Sequence, residues 1–203
     1  MIVMKFGGSS VSNGERIRRV IEIVRARLPR KPLVVASAFR GVTDDLFAAA
    51  DDALRGREAL LDKVRERHES VIAELGLSPG LVKETLAELA VLLKGISLVK
   101  ELTPRTLDYV VSFGERMSVR VIAAAFEKAG IPCEPHDAFD IGMLTDDQFG
   151  AAQPLPEAEA EIRRHVAAMT KLPLVTGYVG KTKGGDITTL GRNGSDFTAT
   201  IIG

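Results

Sequence analysis

The sequence predicts an α/β protein built on a mostly parallel sheet, and three observations carry that prediction. A short apolar run, Ile2–Phe6, ends in Gly7-Gly8, passes through a segment of helical periodicity and is followed by a second apolar run, Leu33–Ala36. Strand, helix and strand within about forty residues make a βαβ unit, which implies parallel pairing. Residues 44–129 then read mostly as helix, so a helical insertion at about 44–110 separates the first strands from the later ones. Strand patterns return at Cys133–Ala138 and Leu174–Val179, with a helical stretch at 156–170 between them. There is no internal repeat and no low-complexity linker, which fits one domain.

The elements follow in order. Ile17, Val20, Ile21, Val24 and Leu28 recur at three and four residues, one stripe of a helix facing a core. Ser12 with Glu15 three later fits a capping box at its start, and Pro29 marks its end. Leu81, Leu86, Leu89 and Leu93 form one helical stripe; Val119, Ile122, Phe126 and Ala129 form another, closed by Gly130. Gly76–Gly80 separates two helices. A Gly- and Asp-rich loop runs from Gly142 to Gly150, and Gly184-Gly185 turns a hairpin into Ile187–Leu190. Ser195-Asp196 reads as the N-cap of a last helix that is still running at Gly203, so the chain is expected to end inside an element.

Composition excludes several classes. The 203 residues carry 27 Lys+Arg and 27 Asp+Glu, a formal charge of zero, with no dense basic block to hold nucleic-acid phosphate. The single cysteine, Cys133, leaves no internal disulfide and no multi-cysteine zinc site. The amino terminus has an apolar run with no basic region before it, unlike a signal peptide. The most apolar helical stretch, near Leu89–Leu93, is cut by Lys94, far short of a membrane span. The expectation is a cytoplasmic globular protein with no nucleic-acid or membrane partner.

Two glycine-rich loops stand out, Lys5-Phe6-Gly7-Gly8-Ser9-Ser10 and Gly191-Arg192-Asn193-Gly194-Ser195-Asp196. Each follows a predicted strand and precedes a predicted helix, where loop amides and a helix N-terminus suit an anion. Glycines at such turns also serve backbone geometry alone. Gly180-Lys181-Thr182 imitates the end of a P-loop, but the required first glycine falls on Val175, and the segment heads into a hairpin. His68, His136 and His165 lie far apart; His68 and His165 fall in charge-rich helices and read as solvated. Cys133 reads as a small buried residue. Taken alone, Glu115-Arg116 reads as a surface pair, Thr43 as a cap for a helix from Asp44, and Ser195 and Asp196 as caps.

Five segments together resemble one family. KFGGSSV (Lys5–Val11), SAFRGVTDDL (Ser37–Leu46), SFGERMS (Ser112–Ser118), DIGMLTDDQFGAAQP (Asp140–Pro154) and TTLGRNGSDFTAT (Thr188–Thr200) are similar, in order, to motifs of aspartokinases in the amino-acid kinase family. The resemblance implies a three-layer α/β/α fold with a mostly parallel sheet. It also implies transfer of a phosphoryl group from MgATP to the β-carboxylate of L-aspartate, the step that opens lysine, threonine and methionine biosynthesis. Residue by residue, it implies Lys5, Gly7, Gly8 and Ser9 at the ATP phosphates. Thr43, Glu115, Arg192 and Ser195 would hold aspartate, and Asp196 would organise the catalytic cations. Mg²⁺ would arrive with ATP, with no protein-only metal site. Members of the family continue past the segments matched here, so the resemblance implies a C-terminally truncated kinase domain. The rest of the nucleotide pocket and the ACT regulatory domains would lie elsewhere, and a homo-oligomer is expected.

The residue chemistry is compatible with that assignment. A substrate carboxylate titrates near ~3.9 and is already ionised at neutral pH, so no general base is required. The obstacle is bringing anion against anion, which calls for fixed positive charge and dipoles. Lys5 and the loop amides can supply these; Arg192 has the planar fork that grips a carboxylate, and Glu115 can pair with an ammonium. Two other readings remain open at this point: a non-catalytic aspartate-binding module or split subunit needing a partner chain, and another amino-acid kinase, such as a glutamate kinase.

Overall fold

The computed structural model describes residues 1–57, 61–191 and 193–203. Its main sheet is four-stranded and wholly parallel, in the order β1-β2-β5-β3, formed by β1 (Ile2–Phe6), β2 (Pro32–Ala36), β5 (Leu172–Thr176) and β3 (Cys133–His136). A smaller sheet joins β4 (Leu144–Thr145) in parallel to β6 (Val179–Thr182), which turns back antiparallel through β7 (Ile187–Thr189). The hairpin turn uses Gly185 at φ 92°, where an L side chain is disfavoured.

Alternation along the central strands builds the layers. Val34, Ala36 and Leu174 point to one face, which packs with α1 (Gly14–Arg25) and α5 (Pro104–Lys128) through Ile17, Val20, Ile122 and Phe126. Leu33, Val35 and Val175 point to the other, which meets Ile162 of α6 (Ala158–Ala167) and Ile202 of α7 (Gly194–Ile202). Every residue of β2 and β5 is buried, as a parallel sheet covered on both sides requires. The architecture is therefore three-layer α/β/α. Helices α2 (Val42–Leu54), α3 (Leu61–Leu75) and α4 (Lys83–Val99) add to the α5 side, extending its core through Leu46, Ile72 and Leu89. Among the described residues, no helix is long and apolar enough to cross a membrane.

Several local expectations need correction. Asn13, not Ser12, caps α1: its side chain accepts from the Arg16 N–H, and Ser12 instead donates to the Ser9 carbonyl. That helix ends at Arg25, and Leu28 and Pro29 belong to a separate 3-10 turn, Leu28–Arg30. Leu81 precedes α4 and is exposed, while Ile96 completes the buried stripe of Leu86, Leu89 and Leu93. The apolar run Leu174–Val179 is two strands in two sheets, broken at Gly177-Tyr178, where Tyr178 takes φ 72°. His68 is fully buried, its ring 5.0 Å from that of Phe39. Ser195 and Asp196 lie inside α7, behind an N-cap at Asn193.

Candidate functional site

The C-terminal ends of β1, β2 and β5 converge on one cleft, where parallel α/β sheets commonly bind ligands. Beyond the last paired residues the backbone remains tied: Ser37 N–H donates to Phe6 O (3.1 Å) and Gly177 N–H to Ala36 O (2.9 Å). The cleft holds about 750 Å³ and takes its lining from Lys5 and Gly8, from Ser37–Gly41 with Thr43, from Glu115, and from Asn193–Asp196. The first loop, the second strand-to-helix loop, the middle of α5 and the start of α7 thus share one space.

Close backbone approach brings these segments together. A Cβ on Gly8 would lie 2.8 Å from the Ala38 carbonyl oxygen, and one on Gly114 would lie 3.0 Å from the Ala38 Cβ. Both glycines are thus needed for the loop after β2 to nest between the first loop and α5. On the far side, a Cβ on Gly177 would lie 2.5 Å from the Ser195 side chain, so the end of β5 touches the first turn of α7.

Opposite charges meet inside this frame. Lys5 Nζ pairs with Asp196 Oδ1 at 2.8 Å, joining the first glycine loop to the last helix. Gly7 sits beside that ammonium, 3.4 Å from its would-be Cβ, while Ser9 is exposed and is not part of the cleft lining. Glu115 is only 3% exposed. Its Oε1 accepts from the Ala38 N–H (3.1 Å), and Oε2 is buried with no hydrogen-bond partner among the described residues. Burial pushes this carboxyl up to about 7 from an ordinary 4.5, against the pull of the Ala38 amide. Glu115 is therefore no surface residue. A cation arriving in the cleft would restore its charge.

The dipole expected from the first helix is already taken. The Gly14 N–H at the head of α1 donates to Glu74 Oε2 (2.7 Å), so a carboxylate of α3 occupies that N-terminus. The head of α7 is different: Asn193, at φ 60°, makes no side-chain capping bond, and Asn193, Gly194 and Ser195 line the cleft. Arg192 lies outside the described residues, so its predicted place is not assigned.

The site also uses groups with no role in the sequence reading. Ser37 Oγ–H donates to Ser195 Oγ (2.9 Å), and Ser118 Oγ–H donates to the Ser37 carbonyl (2.8 Å). Ser37 and Ser118 both fall within motifs already singled out, but only the fold shows what they touch. Tyr178 forms part of the wall, its N–H held by Thr198 Oγ1 (3.1 Å). Among the described residues, no three His, Cys, Asp or Glu side chains converge to hold a metal by themselves. The Asp196 carboxylate, 63% exposed beside Lys5, suits a cation brought in on a phosphorylated ligand.

A glycine-loop cleft at the strand ends, with a lysine and a buried acid in one lining, has the chemistry to receive an anion and a cation side by side. The chain belongs to the amino acid kinase family, whose sequence profile matches residues 1–203. Within that family the relatives it resembles are aspartokinases. Aspartokinase 1, chloroplastic, of Arabidopsis thaliana is 39% identical over 99% of this chain and 37% of its own length. The aspartokinase of Chlamydia trachomatis serovar D is 36% identical over 100% of this chain and 45% of its own length. The chain thus spans less than half the length of these curated relatives. Among solved structures, E. coli aspartokinase III in complex with aspartate and ADP matches with a TM-score of 0.83 and 28% identity, over 100% of this chain and 46% of that one.

Proposed function

We propose that the chain is the aspartate- and phosphate-binding portion of an aspartate kinase, moving the γ-phosphoryl group of ATP to the β-carboxylate of L-aspartate to give 4-phospho-L-aspartate. The observation that carries this reading is the buried Glu115 carboxylate facing the same cleft as the Lys5 ammonium. In this scheme Lys5 and the amides of Gly7, Gly8 and Ser9 hold phosphate oxygens, and Asp196 fixes Lys5 through their 2.8 Å pair. Glu115 binds the substrate ammonium, which separates an amino acid from a plain dicarboxylate. Thr43, Ser195 and Arg192 hold the α-carboxylate and aim the β-carboxylate at the phosphoryl group. Mg²⁺ arrives as MgATP and spreads the charge of the transferring phosphoryl group. The reading places the protein in the cytoplasm, as a homo-oligomer or alongside the remaining part of the same enzyme.

Incubation with MgATP, L-aspartate and hydroxylamine tests it, the hydroxamate reporting the acyl phosphate. Hydroxamate with aspartate, little with glutamate and none with succinate supports the proposal. A preference for glutamate would make it a different amino-acid kinase. Calorimetric binding of aspartate without any turnover would leave a non-catalytic module.

A further inference from the structure

Asp108 belongs to none of the motifs above and does not face the cleft, yet it holds two parts of its wall. It stands on α5 seven residues before Glu115, and at about 100° per residue the two carboxylates fall on the same side of the helix. Asp108 is 3% exposed. Its Oδ2 accepts from Gly150 N–H (2.9 Å) and Thr189 N–H (2.8 Å), and its Oδ1 from Thr189 Oγ1 (2.8 Å). All three donors are neutral, and they come from two segments far apart in sequence.

Both segments reach the substrate space. Gly150 lines the cleft, and Thr189 stands two residues before Gly191, which lines it too. A Cβ on Gly191 would lie 3.2 Å from the Gly150 carbonyl oxygen, so the two walls are in contact. The Ala152 N–H donates to Thr189 O (2.9 Å), closing the same junction from its other side. Farther along α5, Glu115 holds the opposite wall through Ala38.

We propose that Asp108 is a positioning residue for the substrate cleft, fixing Gly150 against the strand that leads to Gly191. One face of α5 then gauges both walls, Asp108 the far one and Glu115 the near one. The effect on aspartate binding rests on the substrate reading above; the effect on wall spacing does not.

Hydrogen exchange of the ligand-free protein, together with calorimetry using L-aspartate and ATP, tests this with Asp108→Ala and Asp108→Asn. In the asparagine variant the amide oxygen can accept both backbone donors while its NH₂ donates to Thr189 Oγ1, so every partner is kept. In Asp108→Ala, amides in 147–152 and 187–191 should exchange about tenfold faster or more, with α1 and β2 unchanged. Aspartate affinity should fall about tenfold and ATP affinity by less than about twofold, with Asp108→Asn close to the parent throughout. Unchanged protection at Gly150 and Thr189, or uniform acceleration over the whole chain, overturns the proposal. So does local loosening with undiminished aspartate affinity. Should the alanine variant not fold, Thr189→Val removes one of the three donors and should give smaller changes of the same sign. If the parent binds no aspartate, the substrate reading fails, and local exchange alone decides whether Asp108 sets the wall.

Discussion

Ser37 and Ser195 share a 2.9 Å hydrogen bond across 158 residues of sequence. It ties the end of β2 to the first turn of α7, and Ser118 holds the Ser37 carbonyl from behind. The bond orients the Ser195 hydroxyl within the cleft. Ser37→Ala should cost about 1 kcal/mol by thermal unfolding and weaken aspartate binding several-fold by calorimetry. Equal aspartate affinity in the two proteins would remove Ser195 from the pocket.

The Lys5–Asp196 pair is expected to matter for rate far more than for stability. Its side chains are 26% and 63% exposed, and pairs of that kind contribute only about 0.2–1 kcal/mol. Asp196→Asn should therefore shift unfolding by less than about 1 kcal/mol. The hydroxamate rate should fall about a hundredfold or more, because in the proposed scheme Lys5 is the cation at the transferring phosphoryl group and loses its anchor. A variant unfolded under assay conditions would show the pair to be structural.

Two buried groups give opposed pH dependences. Glu115 titrates at about 7 folded against 4.5 unfolded, so between those values the folded chain holds a proton that the unfolded chain has released. Its contribution to stability falls as pH rises through that window. His68 is lowered by burial to about 4 from 6.5, and its Nδ1–H donates to the Val64 carbonyl (2.7 Å). The unfolded chain takes up the His68 proton first, so that contribution falls as pH drops from 6.5 to 4. Each is worth about 3 kcal/mol, and they nearly cancel where they overlap. Denaturant titrations at several pH values should show Glu115→Gln losing stability toward acid, and His68→Phe losing it toward neutrality. Parallel profiles for the two variants would contradict both assignments.

Cys133 is 4% exposed, and burial pushes its thiol up to about 12. The native protein should leave an aromatic disulfide reagent untouched at pH 8, because the thiolate is the reactive species. Denatured protein should release one equivalent. Rapid labelling of folded protein would mean that β3 opens readily at the sheet edge.

Periodicity was enough to read the opening strand–helix–strand unit and the main helices, because each apolar stripe records which side of its element meets the core; β4, two residues inside the Gly142–Gly150 loop, is too short to leave such a stripe. What it could not supply was distance. Glu115 looks like half of a surface pair until the Ala38 loop folds over α5, and His68 looks solvated until Phe39 packs on its ring. The run Leu174–Val179 reads as one strand because local pattern does not register that Gly177 must clear Ser195, after which Tyr178 turns the chain into another sheet. Asn13 and Ser12 are both good caps, and only geometry decides between them. Asp108 carries the same lesson: its seven-residue spacing from Glu115 was visible, but Gly150 and Thr189 are not near it in sequence.

The strand order has a consequence for how the molecule assembles. β5 pairs with β2, Val34 against Leu174, and with β3 on its other edge, so it fills a slot prepared by segments that precede it. Until it arrives, β2 has a partner on one side only. Such distant pairing is slow to find, which makes docking of β5, the fourth-to-last element, the natural late event in refolding. The cleft, being roofed by segments on both sides of that strand, can exist only once the event is complete.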